Sequence, residues 1–177
     1  MAGGKRGAID RPVGFMEPTG MPLVIVSTAE RADLAALTAR WQWEAFVRDA
    51  GRPLEPMIAR AEAAAAAAAW MPRSFVLLSD GEPVGTASLT AHDLEERPDL
   101  TPWLASVYVV PQARGQGHAA RLVRAVEQHA AAGSVATLWL YTNTAERIYQ
   151  RIGWRTVESV QHDGYPVALM RRDLSPE

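Results

Sequence analysis

Residues 103–132 read Trp103-Leu-Ala-Ser-Val-Tyr-Val-Val-Pro-Gln-Ala-Arg-Gly-Gln-Gly-His-Ala-Ala-Arg-Leu-Val-Arg-Ala-Val-Glu-Gln-His-Ala-Ala-Ala132. The run Leu104–Val110 is rich in β-branched and aromatic residues, with Ser106 as its one polar member, which suits a strand buried on both faces. Pro111 cannot donate to a ladder and ends it. Beyond Gln112-Ala113-Arg114-Gly115-Gln116-Gly117-His118, the apolar positions Ala119, Leu122, Val123 and Val126 recur three and four apart, as on an amphipathic helix. A strand that feeds a glycine-bearing turn at a helix start leaves amide N–H groups unpaired and pointing one way. The positive end of the helix dipole stands behind them. Gly115 and Gly117 let phosphate oxygens approach the backbone. The stretch therefore reads as a diphosphate cradle.

Outward from this stretch the chain reads β-α-α-β-β-β-α-β-α-β-β, a mixed α/β domain without internal repeats. Leu23–Val26 forms a strand. A helix carrying Leu34, Leu37, Trp41 and Phe46 runs to about Gly51. Met57–Met71 forms a second helix on the propensity of its seven consecutive alanines, with a smooth face able to line a substrate cleft. Asp80-Gly81 turns a hairpin between Ser74–Ser79 and Glu82–Thr90. His92–Leu100 is an acidic loop. Val135–Tyr141 is a further buried strand, Thr142 or Asn143 caps a short helix, and Gly153 closes it. Trp154–Val160 and Val167–Met170 pair around Asp163-Gly164. Residues 1–21 read as a flexible leader, 22–173 as a single domain and 174–177 as a loose tail.

Composition narrows the function. The 177 residues include 48% apolar and 21% charged side chains, ordinary values for a globular chain. A net charge of −2 argues against nucleic-acid binding through a broad basic surface. The absence of cysteine removes disulfides, thiolate metal sites and a cysteine nucleophile, and no metal is expected. No apolar run reaches the length of a membrane span, and the first 22 residues hold no signal-peptide core, so the expected location is cytoplasmic.

Gly115-Gln116-Gly117-His118-Ala119-Ala120 also matches the dinucleotide pattern G-x-G-x-x-A. That pattern wants a carboxylate at the end of the next strand. Here the strand ends in Tyr141-Thr142-Asn143, with no carboxylate before Glu146. A nucleoside-triphosphate loop is excluded because no Lys-Ser/Thr follows the glycines.

Val107–Gly117 resembles the acetyl-CoA signature of the GNAT N-acetyltransferase superfamily, Q/R-x-x-G-x-G/A after a strand ending in V-x-P. Gln112, Gly115 and Gly117 fill its fixed positions. Asn143–Trp154 resembles the family's N-x-x-A-x-x-x-Y-x-x-x-G-F/W segment, shifted by one at the alanine. The resemblance implies a mixed central sheet of about six to seven strands flanked by about four helices and splayed at its two central parallel strands.

It further implies transfer of acetyl from acetyl-CoA to a primary amine by direct attack. The acceptor would be a small molecule or a protein N-terminus. The main chain of Val107, Tyr108 and Val109 would meet the pantetheine arm, with Asn143 beside it. The amides of Arg114, Gly115, Gln116, Gly117, His118 and Ala119 would meet the pyrophosphate, helped by the charge of Arg114 and Arg121. Tyr149 would be the general acid for the departing thiolate. The candidate bases are His92, Asp93, Glu95, Glu96 and Asp99, with His92 favoured for its unperturbed pKa near 6.5. Ser106 is a candidate holder of a relay water. The acidic loop suggests a cationic acceptor, and Trp41, Trp43 and Trp103 are candidate pocket walls. The competing reading is a non-catalytic acyl-CoA sensor of the same fold. Another acyl donor and a homodimer stay open.

Overall fold

A computed structural model describes residues 22–174; the expected leader, 1–21, and the last three residues lie outside the described part. One seven-stranded sheet runs through it in the order β1-β2-β3-β4-β5-β7-β6. The strands are β1 (Leu23–Ser27), β2 (Arg73–Ser79), β3 (Glu82–Thr90), β4 (Trp103–Val109), β5 (Thr137–Thr142), β6 (Arg155–His162) and β7 (Tyr165–Asp173). The four α-helices are α1 (Ala35–Gln42), α2 (Glu55–Ala66), α3 (His118–Ala132) and α4 (Glu146–Arg151). All pairings are antiparallel except β4 with β5, which is parallel and consists of the single pair Trp103↔Trp139. Beyond that pair the two central strands separate, as the resemblance implies.

The two faces of the sheet are built differently. On one, α3 lays Leu122, Val123, Val126 and Ala130 onto Phe75, Leu77, Leu89, Leu104, Leu138 and Leu140, forming the main core. The approach is close: a Cβ on Gly85 would lie 2.7 Å from the Tyr108 carbonyl and 3.0 Å from Leu122. On the other face the apolar packing is split. Leu34 covers Val76 and Leu78 at one side, and Leu94, Trp103, Val167 and Leu169 cluster at the other. Between them the middle strands present a polar strip, Ser74, Ser88 and Thr90.

Three readings of the helices need correction. The first helical region is less regular than one amphipathic helix: a 3₁₀ turn (Ala32–Leu34), α1, a π turn (Trp43–Val47) and a second 3₁₀ turn (Arg48–Ala50) end at Gly51, with φ +72°. Phe46, read as one of the apolar residues that helix carries, is 55% exposed, because the π turn rotates the residues after Gln42 out of phase with those before it. The alanine helix stops at Ala66 rather than Met71. Tertiary contacts override propensity there: the Arg73 guanidinium donates to the Ala69 carbonyl, and the Trp70 carbonyl meets His129 Nε2 at 2.9 Å.

Elsewhere the turn chemistry is as read. Asp80 (φ 52°) and Gly81 (φ 82°) form the β2–β3 hairpin, and Asp163 (φ 49°) with Gly164 (φ 81°) form the β6–β7 one. Leu174 is tied in, its amide donating to the Ala136 carbonyl at 2.8 Å. Among the described residues no helix is long and apolar enough to cross a membrane.

Candidate active site

β4 is bent by its own backbone. Thr86 pairs with Tyr108 while Ser88 pairs with Ala105, so Ser106 and Val107 together stand opposite Ala87. Ser106 takes φ +54°, the left-handed conformation that a bulge of this kind requires. The bulge increases local twist and turns the rest of β4 away from β5. The main chain of Val107–Val109 is thus held by β3 on one side and released from β5 on the other.

The glycine turn closes the end of this gap. Pro111–Ala113 make one 3₁₀ turn, Arg114 is extended, and Gly115 (φ +76°) and Gly117 (φ +77°) are both left-handed. A Cβ at either glycine would meet no protein atom within 4 Å. The space in front of the turn is therefore open, and the first amides of the fifteen-residue α3 have no carbonyl behind them to accept. This is a fitting seat for an anion.

Two side chains of the turn are engaged by the fold. Arg114 Nε donates to the Val109 carbonyl at 2.9 Å, and its guanidinium lies over the Tyr108 ring at 5.9 Å. Arg114 thus ties the turn back to the strand, and one of the β4 carbonyls expected to face a pantetheine arm already has a donor. His118 is buried, and its Nδ1 has no partner among the described residues. Its imidazole belongs to the fold, so only its backbone amide remains available to a phosphate.

At the C-terminal end of β5, the same end of the parallel strands as the glycine turn, Thr142 Oγ1 accepts from the Ala145 amide at 3.0 Å; Thr142, not Asn143, organises the entry to α4. Asn143 is exposed. Tyr149 packs its ring edge-on against Trp154, with centroids 6.2 Å apart, on the α3 side of the sheet. Trp154 is fixed in turn by its indole N–H, which donates to Glu127 of α3 at 2.8 Å. Burial pushes the Tyr149 phenol up to about 12.

On the opposite face, between the two apolar clusters, lies a cavity of about 560 Å³. Its floor is the polar strip: Gln42 donates to Ser88 Oγ at 3.0 Å, and Ser88 shares a hydrogen bond of 2.8 Å with Ser74. Ser106 lines it from the β4 bulge, and the smooth face of α2 (Met57, Ala61, Ala64) forms its roof. The alanine helix therefore does line a cleft. Of the three candidate tryptophan walls, Trp103 is fully buried, with its indole donating to the Leu100 carbonyl. Trp41 packs on Tyr108 at 5.7 Å, and Trp43 donates to the Arg52 carbonyl. None of the three lines the cavity.

The structure sorts the candidate bases. His92 and Asp93 both line the cavity; His92 is exposed, while Asp93 is half-buried. Glu96 meets His162 at 2.9 Å and Asp99 meets Arg97 at 2.8 Å, away from the cavity, and Glu95 does not reach it. Burial pushes the Asp93 carboxyl up to about 6, partly opposed by the nearby His162. Beside them, burial and then the Asp93 charge push the Tyr141 phenol up to about 12. With Glu96 hydrogen-bonded to His162 and Asp99 paired with Arg97, Asp93 is the carboxylate of the acidic loop that lines the cavity.

The sequence model of the acetyltransferase (GNAT) family matches residues 36–154, more than half of the chain and all of the site just described. The chain belongs to the GNAT acetyltransferase family. Solved structures share its fold. An N-acetyltransferase from Staphylococcus aureus Mu50 superposes with a TM-score of 0.66 at 21% identity, over 87% of this chain and 99% of that one. The yncA protein of Salmonella typhimurium, solved with acetyl-CoA, gives 0.62 at 16% identity over 90% and 96%. An aminoglycoside 6'-N-acetyltransferase complexed with coenzyme A gives 0.65 at 14% identity over 87% and 98%. No curated protein matches the chain. Among the described residues no group of three or more His, Asp or Glu is placed to hold a metal ion.

Proposed function

We propose that this GNAT chain is an acetyl-CoA-dependent N-acetyltransferase acting on a primary amine. The observation that carries the reading is the gap between β4 and β5. The pairing of these strands is reduced to Trp103↔Trp139, β4 runs on into the open turn of Gly115 and Gly117, and Ser106 of its bulge lines the polar cavity. The presence of acetyl-CoA in the yncA structure and of coenzyme A in the aminoglycoside enzyme supports the same assignment.

The thioester supplies the activated acetyl group, and the residues do the rest. The amides from Gly115 to Ala119 hold the diphosphate, with Gln112 and Gln116 exposed beside them and Arg121 on the first turn of α3. Val107–Val109 and Asn143 line the arm. Asp93, in the cavity with Ser106, takes the proton that the attacking amine must lose, directly or through a water held at the Ser106 hydroxyl. Tyr149 supports the departing sulfur. The N–C bond forms as the C–S bond breaks, and the ammonium nitrogen gives up two protons for each acetyl moved, one ending on the CoA sulfur and one passing through Asp93 to solvent.

Thiol release with acetyl-CoA and a panel of amines tests this. Release above the protein-free control with at least one amine supports it. Tight CoA binding without release for any amine gives the sensor reading instead.

The turn has its own test. Alanine at Gly115 or Gly117 meets no steric obstacle from the protein, so its intrinsic cost is the left-handed backbone, about 1–2 kcal/mol. The added methyl group would stand where the phosphate must sit. Gly117→Ala should therefore weaken CoA binding by about tenfold or more, measured by calorimetry, with only a small fall in Tm.

A further inference from the structure

The cavity carries charge of both signs that the fold does not consume. Asp93 enters it from the sheet side, and Arg52 and Arg60 line it from the helical side. Among the described residues, ion pairs join other arginines to other carboxylates. None includes Arg52, Arg60 or Asp93. The two signs therefore share one space without neutralising each other.

An exposed arginine on a helix is ordinarily a solvated one, but these two are placed by specific features. The Arg52 carbonyl is held at 2.6 Å by the Trp43 indole, which fixes the chain where that side chain begins. Arg60 lies on the same face of α2 as Met57, Ala61 and Ala64, the face turned to the cavity, while Glu55 and Glu62 do not line it. The alanines beside it leave the space unfilled.

We propose that the acceptor is a small zwitterion, an amino acid or similarly small amine bearing a carboxylate. Its ammonium group lies toward Asp93 and Ser106, and its carboxylate toward Arg52 and Arg60. This rests on the acetyltransferase reading and narrows it. A cavity of about 560 Å³ suits a small molecule. Guanidinium groups grip a planar carboxylate through paired hydrogen bonds, which a lysine could not match. Transfer converts R–NH₃⁺ and the thioester to R–NH–acetyl, the free thiol and a proton. The product keeps its carboxylate but has lost the positive charge that Asp93 attracts, which favours its release.

The experiment measures thiol release from acetyl-CoA by the full chain with a set of L-amino acids, their carboxamides and spermidine. The expected result is a kcat/KM for at least one amino acid about 10- to 100-fold above that of its own carboxamide, and above that of spermidine. In the Arg52→Gln/Arg60→Gln double variant, the amino acid and carboxamide should come within a few-fold of one another. The change should be carried by KM for the amino acid, with calorimetric CoA binding as the folding control. Carboxamides or spermidine acetylated as well as or better than every amino acid would overturn the zwitterion proposal and leave the acetyltransferase reading standing. So would a preference that survives the double variant. No thiol release with any amine would overturn both.

Discussion

Tyr149→Phe is expected to lower kcat by about 10²- to 10³-fold while leaving the Kd for CoA within about twofold of the parent value. The ring stays: phenylalanine keeps the edge-on contact with Trp154, whose indole is anchored independently on Glu127, so the fold around α4 should hold. What is lost is one hydroxyl. Its environment also decides how it can act. A phenol pushed up to about 12 is protonated at every working pH, so it is always a donor. A thiol of ordinary pKa, near 8.5, is the stronger acid by about three units. Complete proton transfer from Tyr149 to the thiolate is therefore uphill. The phenol stabilises the negative sulfur chiefly as a hydrogen-bond donor, a refinement of the general-acid role. The pH profile of kcat should accordingly show no limb from Tyr149 below about pH 11, measured with a saturating amine. Turnover equal to the parent would remove Tyr149 from the mechanism.

Much of the donor side was legible in the sequence, because it is written in local signals. Pro111 ends a strand, Gly115 and Gly117 supply positive φ, and the apolar spacing from Ala119 to Val126 begins a helix; each acts within a few residues of itself. What the sequence did not give there was the direction of two side chains, Arg114 and His118. Their side chains turn to partners or packing within the fold, and residue type alone does not reveal a side chain's direction.

The acceptor side was far less legible. Its cavity is assembled from α1, the α1–α2 connection, α2, β2, β3, the 92–93 loop and the β4 bulge, segments more than sixty residues apart. Arg52 and Arg60 carry no motif. A weak signal existed in the alternation Thr86, Ser88, Thr90, a polar face in the middle of a sheet, but it could not say what stood above it. Composition counts the carboxylates of the acidic loop without their partners. Asp99 pairs with Arg97 two residues away and Glu96 meets His162 from across the fold, which leaves Asp93 as the one loop carboxylate in the cavity.

That isolation makes Asp93→Asn a variant whose activity and stability should move in opposite directions. The unfolded chain ionises Asp93 near 3.8, and the folded chain near 6. Because the folded value is raised, the native state holds this proton more tightly, and stability falls as pH rises from about 4 through 6. Above pH 6 the ionised carboxylate costs the fold up to about 3 kcal/mol. Asparagine cannot ionise and escapes that cost. Its Tm should exceed the parent's at pH 7.5, and the difference should shrink toward zero as pH is lowered to 4. Catalysis runs the other way, since only the ionised carboxylate can accept the amine's proton. Parent kcat/KM should climb as pH rises through about 6, whereas the variant should lose about 10²-fold or more at pH 7.5 and lack that limb. The charged and titratable groups nearby include His92, Arg52 and Arg60 in the cavity, with Tyr141, Glu96 and His162 beside the loop. His92→Gln in parallel separates the two candidate bases: its kcat/KM at pH 7.5 should stay within a few-fold of the parent's if Asp93 is the base and fall about 10²-fold if the imidazole is. A variant at position 93 that is both more stable at neutral pH and nearly inactive would mean that the fold tolerates a strained, half-buried carboxylate because the acceptor's amine needs one there.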